Sequence, residues 1–87
     1  MSKLPRFKLI FEEEVGEYIF SQSKKRQRRL LNICYAIAAD PSATVDYVLS
    51  DAEGRSVSHV LTEGYLIGYW IDYPVKRVVI AEIEEED

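Results

Sequence analysis

Residues 59–72, with the sequence HVLTEGYLIGYWID, constrain the fold of this chain more than any other stretch. The apolar and aromatic runs on both sides of Glu63-Gly64 predict two strands joined by a two-residue turn, because glycine-containing pairs suit the tight turns of hairpins. Thr62 then lies opposite Tyr65, which assigns every later side chain of the hairpin to one face or the other. Neither face is convincingly polar, so a sheet built on this hairpin needs a cover on both sides.

Two helices are predicted before the hairpin. The apolar residues from Phe11 to Ile19 recur at helical spacing, with glutamates on the opposite side. Ser23 is the predicted N-cap of a second helix that ends near Asp40, since Pro41 cannot continue it. Two helices joined by so few residues are expected to pack as an antiparallel hairpin, with ion pairs between the acidic helix and the basic one.

The strands complete an α+β fold. A first strand is predicted over residues 6–11, whereas TVDYVLS (44–50) reads as either a short strand or an irregular segment. The predicted architecture is an N-terminal strand, a helical hairpin and a three-stranded antiparallel sheet, formed by Ser56–Thr62, Tyr65–Asp72 and Arg77–Ile83. We expect one domain over residues 1–87, with residues 84–87 as a disordered acidic tail.

Composition narrows the classes of function. The net charge of −4 argues against a broad nucleic-acid surface, although five of the eleven basic residues lie in the KKRQRR segment. A single cysteine, Cys34, and a single histidine, His59, exclude an intramolecular disulfide and a Cys/His metal site, so we expect no metal or cofactor. No apolar run reaches the roughly 20 residues of a membrane span, and three glutamates interrupt the N-terminal region where a signal peptide needs an apolar core. A cytoplasmic protein without a membrane partner is expected.

Four segments follow one another along the chain: FKLIFEEE, the ADP that closes the second helix, GYLIGYWID and RVVIAEIE. In this order they resemble the RelE/ParE superfamily of bacterial toxin-antitoxin toxins. The resemblance implies a helical hairpin packed on one side of a twisted sheet, with Tyr65, Ile67, Tyr69 and Ile71 beneath the helices. Apolar composition alone favours burial of the opposite face, which contains Val57, Leu61, Leu66 and Trp70. If the loop before the last strand has four residues, the same face also contains Val79, Ala81 and Ile83.

The residues that cut RNA in such toxins are largely missing. Leu66 stands where the family usually has arginine, Leu61 stands near a second basic position, and acidic residues replace the basic segment after Ile83. Cleavage of RNA needs positive charge on the phosphate and a proton donor or acceptor. If the chain cuts RNA, the candidate catalytic residues are Arg55, His59 and Arg77.

Two surfaces are predicted to bind a partner. The sheet face with Leu61, Leu66 and Trp70 is apolar and lacks a cover, and the basic face of the second helix suits an acidic antitoxin segment or remains solvated. The basic candidates are Lys24, Lys25, Arg28 and Arg29. For His59 a structural role competes with proton transfer, and for Arg77 an ion pair with Asp72 competes with phosphate binding.

Three functional hypotheses follow. The first is a toxin, or a protein derived from one, that acts by binding an antitoxin or a topoisomerase and is not primarily an enzyme. The second is a harmless module that forms a homodimer through its apolar sheet face. The third is a ribosome-dependent endoribonuclease that has lost most of the usual basic residues.

Overall fold

The computed structural model describes residues 7–43 and 45–86. Its elements, in chain order, are β1 (Lys8–Phe11), α1 (Glu13–Phe20), α2 (Lys24–Ala39), β2 (Tyr47–Ser50), β3 (Ser56–Thr62), β4 (Tyr65–Asp72) and β5 (Arg77–Glu85). The predicted α+β class and both helices are confirmed. No helix in these ranges has the length and apolar character needed to cross a membrane.

The sheet is larger than predicted. It has five strands in the order β1-β5-β4-β3-β2 and is mixed, not purely antiparallel. The three predicted strands pair antiparallel, β3 with β4 and β4 with β5. β2 adds a further antiparallel strand beside β3, and β1 pairs parallel to β5. A parallel pair needs a long crossover connection, and the helical hairpin begins the long connection from β1 to β5. β1 pairs with a strand that is distant in the sequence, and β2 has only four residues, so the sequence pattern alone did not reveal either pairing.

Local signals fix both ends of α2. The Ser23 hydroxyl accepts a hydrogen bond from the Arg26 backbone N–H at 3.3 Å, which caps the helix N-terminus as predicted. The helix ends at Ala39, two residues before Pro41. At the start of α1, Glu13 and Glu14 lie in the first turn, where the helix dipole favours negative charge.

The β3–β4 hairpin has the predicted two-residue turn. Glu63 and Gly64 have φ values of 52° and 87°, and Thr62 pairs with Tyr65. Positive φ at both central residues is the type I′ geometry, whose twist matches that of the strands. The predicted register along the hairpin is therefore confirmed.

Both helices pack on a single face of the sheet, which we call the covered face. Tyr65, Ile67 and Tyr69 are buried against the helices and Ile71 is partly buried, as the resemblance implies. The Tyr69 hydroxyl donates a hydrogen bond to the Pro41 carbonyl, which ties β4 to the segment after α2, and burial raises the pKa of Tyr69. The helices contribute Val15, Ile19, Leu30, Ile33, Cys34 and Ala38 to the same core.

The acidic C-terminal segment is partly ordered, in contrast to the prediction. β5 continues to Glu85, and Glu84 and Glu85 pair with Leu66 and Tyr65 in the sheet. Asp87 lies outside the described residues. Extended pairing with β4 holds these glutamates, whereas composition alone treats such a run as solvated.

Candidate functional site

A basic groove lies between α2 and the end of β3. It has a volume of about 570 Å³. Lys25, Arg28 and Arg29 line its helix side because residues three or four apart share one helical face. Leu61 lines the strand side, and further lining residues are Asn32, Ile33, Ala36, Ile37, Asp40, Ala43, Val60, Thr62, Glu63 and Tyr69. The groove thus combines three cationic side chains and two acidic ones, Asp40 and Glu63, with an apolar floor.

The strand side of this basic groove includes a sheet edge. β2 pairs only with the Ser56–His59 part of β3, so within the described chain the segment from Val60 to Thr62 has no strand neighbour on that side. Asp46 caps the edge: its side-chain Oδ2 accepts a hydrogen bond from the Leu61 backbone N–H at 2.7 Å, and its own N–H donates to the His59 carbonyl at 2.8 Å. An extended segment of another chain can pair with an edge of this kind.

The predicted ion pairs between the helices are absent from the described part of the chain. Glu13, Glu14 and Glu17 of α1 are exposed. The ion pair of α2 reaches the sheet instead, because Arg26 Nη2 lies 3.1 Å from Glu85 Oε2 on β5. The helices contact each other through buried apolar residues, so the charged faces of α1 and α2 do not face one another. The basic residues of the groove therefore face solvent.

The other side of the sheet, which we call the open face, is not covered by the helices. Leu61 and Leu49 expose 58% and 57% of their surfaces, and Leu66 and Trp70 are half-buried. Arg55 partly covers Trp70, with the guanidinium carbon 4.3 Å from the ring centroid. The face that contains Leu61, Leu66 and Trp70 is thus uncovered by the helices, as the resemblance implies.

His59 is buried on the open face, with 6% of its surface exposed. Its ring stacks on Tyr47, with the ring centroids 4.7 Å apart and the planes 6° from parallel. Nδ1 lies 3.1 Å from the Val57 carbonyl oxygen. Nε2 lies 3.4 Å from Glu82 Oε1, so His59 links β3 to β5 across Gly68.

A β-bulge places Glu82 beside this histidine. Tyr69 pairs with Ile80, but Gly68 pairs with Glu82, so β5 contains one extra residue, Ala81, at this point. Without the extra residue, Glu82 would point to the covered face, since strand side chains alternate. The bulge also brings Ile83 into contact with the core. The apolar-face prediction is wrong for Ile83 for this reason, whereas Val57 and Val79, which it also named, are buried.

The three candidate catalytic residues do not converge. Arg55 is held by Asp51 at 2.7 Å and Glu53 at 2.8 Å, and the hydrogen bond from Arg55 lowers the pKa of Asp51. Arg77 Nη2 lies 3.9 Å from Asp72 Oδ2. Arg77 therefore forms the ion pair that was the predicted alternative to phosphate binding. His59 lies four residues along β3 from Arg55, a distance of about 13 Å along a strand.

The partner-binding candidates divide between two places. Lys25, Arg28, Arg29 and Leu61 line the basic groove, whereas Leu66 and Trp70 lie only on the open face. Lys24 is exposed in the first turn of α2 and does not line the groove. The sequence reading missed Asp46, Tyr47 and Glu82, whose positions depend on an edge contact, a cross-strand stack and a bulge. Among the described residues no group of three His, Cys, Asp or Glu side chains is placed to hold a metal ion.

Solved structures share this arrangement of helices and sheet. A chain of the toxin-antitoxin complex RelBE2 from Mycobacterium tuberculosis superposes with a TM-score of 0.77 at 13% identity, over 99% of this chain and 98% of that one. A chain of the archaeal RelE-RelB complex from Pyrococcus horikoshii gives a TM-score of 0.71 at 16% identity, over 92% and 94%. The isolated RelE toxin of E. coli gives 0.65 at 13% identity, over 93% and 85%. The fold is RelE-like.

The RelE-like fold is supported by structure more than by sequence. No protein-family model matches the chain, and no curated protein matches it. The similarity covers the overall fold.

Proposed function

We propose that this chain is a toxin, or a protein derived from one, of a toxin-antitoxin pair, and that it acts by binding other proteins. The observation that carries the proposal is the basic groove, in which three cationic residues of α2 face an apolar strand edge. The RelE-like fold supports it, because two of the similar solved structures are complexes of a toxin with its antitoxin. An antitoxin is the proposed partner of the groove.

The groove chemistry specifies the segment that fits. Lys25, Arg28 and Arg29 favour carboxylates, and Ile33, Ile37 and other apolar residues favour aliphatic side chains. The free edge at Leu61 adds backbone hydrogen bonds if an extended segment displaces the Asp46 carboxylate. The proposed antitoxin segment therefore alternates acidic and apolar residues and extends β3.

Protein binding is favoured over cleavage of RNA by the charges on the open face. Arg55 and Arg77 are engaged by neighbouring carboxylates, and Glu82 occupies the face beside the only histidine. Negative charge at that place repels a phosphate backbone. A topoisomerase remains the proposed kind of cellular target.

The homodimeric module is the second candidate. The exposure of Leu61 and the partial exposure of Leu66 and Trp70 on the open face favour it, since an uncovered apolar face is suited to self-association. A dimer that persists on dilution, combined with harmless expression, would replace the toxin proposal with this one.

The test combines induction with a matched pair of variants. We expect induction of the chain to arrest bacterial growth, and coexpression of the adjacent small open reading frame to relieve the arrest. Arg28→Glu, inside the groove, should weaken antitoxin binding by about tenfold or more, equivalent to about 1.4 kcal/mol. Lys24→Glu makes the same change of charge on α2 outside the groove and should bind as the parent protein does, by calorimetric titration.

The competing outcomes are distinct. Equal loss of affinity in Arg28→Glu and Lys24→Glu would mean that only overall charge matters, and the groove assignment would fail. Transcript cleavage by the purified chain that disappears in His59→Ala or Arg55→Ala would establish the endoribonuclease instead. Growth without arrest would remove the toxin proposal.

A further inference from the structure

The open face has an apolar area at the edge formed by β2 and β3. Cross-strand pairing aligns Leu61 with Leu66, and Tyr47 with His59. Leu49, Leu61 and Tyr47 are exposed large apolar residues. The area therefore continues across β2, β3 and β4 without a covering element.

The same cross-strand rows end in carboxylates on β5. Leu66 pairs with Glu84, and Gly68 pairs with Glu82. The β-bulge turns Glu82 onto this face, and its side chain is 46% exposed although it lies 3.4 Å from His59. Glu84 is exposed beside it. Two carboxylates thus border the apolar area on one side, about 7 Å apart along the strand.

We propose that the open face binds an amphipathic polypeptide segment whose apolar side is bordered by lysine or arginine. This inference rests on the proposed function in one respect, that the chain acts by protein contact, and it adds the chemistry of the partner on the face of the sheet opposite the helices, which meets the basic groove at Leu61. Charge complementarity carries it, because Glu82 and Glu84 lie next to Leu61 and Leu66.

The spacing of the carboxylates limits the shape of that segment. Side chains three or four residues apart on a helix lie about 5–6 Å from each other at Cβ, and alternate residues of a strand lie about 7 Å apart. Both distances match a pair of cations facing Glu82 and Glu84. Leucine-sized side chains from the same segment then contact Leu61 and Leu66.

The two surfaces of the molecule therefore have opposite preferences. The basic groove beside α2 suits an acidic segment, and the open face suits a cationic one. The charged residues of the two surfaces are separate, since Lys25, Arg28 and Arg29 line the groove and Glu82 and Glu84 lie on the open face, whereas Leu61 belongs to both. RNA is disfavoured on the open face because its phosphates would approach Glu82 and Glu84.

The experiment uses the full chain and two synthetic helical peptides with identical leucine positions. One peptide has lysines along the border of its apolar side, and the other has glutamates there. Fluorescence anisotropy should show binding of the lysine peptide, with an affinity that falls as salt rises, and about tenfold or more weaker binding of the glutamate peptide. Glu84→Lys and Leu61→Ser should each weaken binding of the lysine peptide, by about tenfold for Glu84→Lys.

Matched variants separate the open face from general attraction to an acidic protein. Glu13→Lys makes the same change of charge on an exposed residue of α1, and Arg28→Glu alters the groove. Glu13→Lys should bind the lysine peptide as tightly as the parent chain does. Arg28→Glu should bind it at least as tightly. Three results would overturn the inference. They are equal losses of affinity for the lysine peptide in Glu13→Lys and Glu84→Lys, equal binding of both peptides, and binding of a short single-stranded RNA that the lysine peptide displaces.

Failure of this inference is distinguishable from failure of the proposed function. If the antitoxin binds in an Arg28-dependent manner but the lysine peptide does not bind, only the partner of the open face is wrong. If the lysine peptide binds in a Glu84-dependent manner but no antitoxin is found, only the toxin-antitoxin proposal is lost. Glu84 and Leu61 are exposed, so neither substitution is expected to unfold the chain.

Discussion

The two faces of the sheet are built from the same strands but are stabilised differently. On the covered face, Ile67 and Ile80 are fully buried beneath the helices. On the open face, Leu61 is exposed, while His59 and Arg55 are held by specific polar and stacking contacts. Burial of apolar surface stabilises the first face, and pairwise contacts arrange the second. The covered face therefore maintains the fold, whereas the open face leaves apolar side chains such as Leu61 in contact with solvent.

The largest contrast is expected between two apolar substitutions on the same hairpin. Ile67→Ala removes a fully buried side chain and should lower the free energy of unfolding by about 2–5 kcal/mol. Leu61→Ala removes a side chain that is 58% exposed and should change it by less than about 1 kcal/mol. Urea denaturation followed by circular dichroism measures both values. Comparable losses would show that the open face is buried in solution, for example by a second copy.

A glycine in the sheet, Gly68, and a glycine in α1, Gly16, provide the next contrast. A Cβ at Gly68 would lie 3.1 Å from Glu82 Oε1 and 3.2 Å from His59 Nε2, whereas a Cβ at Gly16 of α1 would meet nothing within 4 Å. Gly68→Ala should lower the free energy of unfolding by about 1 kcal/mol or more, because the stack on Tyr47 limits the movement of His59. Gly16→Ala should raise it by about 0.5–1 kcal/mol, as expected for a helix interior. Thermal melting of both variants checks the signs, and a stabilised Gly68→Ala would mean that His59 and Glu82 do not pack over this position.

The covered face was predictable because its signals are local. The helical spacing, the Ser23 cap and the Glu63-Gly64 turn fix the helices and the hairpin register, and the register fixes which side chains of β4 share a face. The choice between the two apolar faces was not fixed by composition. It followed from the resemblance, because both faces contain enough apolar residues to form a core.

The open face was predictable only in part. Its apolar residues Leu61, Leu66 and Trp70 were identified, but the pairing of His59 with Glu82 was not. That pairing depends on one extra residue in β5. Gly68, on the opposite strand, marks the place of the bulge in the sequence but does not reveal which residue of β5 is the extra one. The edge role of Asp46 depends on where β2 stops pairing with β3, and the pattern of residues 44–50 left open whether β2 is a strand at all.

A smaller effect is expected from removal of single hydroxyl groups. Tyr69→Phe deletes the donor to the Pro41 carbonyl on the covered side and should lower the free energy of unfolding by about 1 kcal/mol. Tyr73→Phe removes a hydroxyl from an exposed loop residue and should change it by less than about 0.5 kcal/mol. Chemical denaturation of the pair measures the difference. Equal values would mean that the bond to Pro41 is replaced by water at no cost.

The smallest effect at neutral pH concerns the thiol in the helix layer. Cys34 is fully buried, and burial raises its pKa to about 12 from an ordinary value of 9.0. The unfolded chain releases this proton near pH 9, whereas the folded chain keeps it, so the contribution to stability is complete below pH 9 and is lost as the pH rises towards 12. We therefore expect a thiol reagent at pH 8 to leave Cys34 unmodified in buffer and to modify it fully in urea. Rapid modification of the native chain would show that the helices separate from the covered face, which would remove the contrast between the two faces.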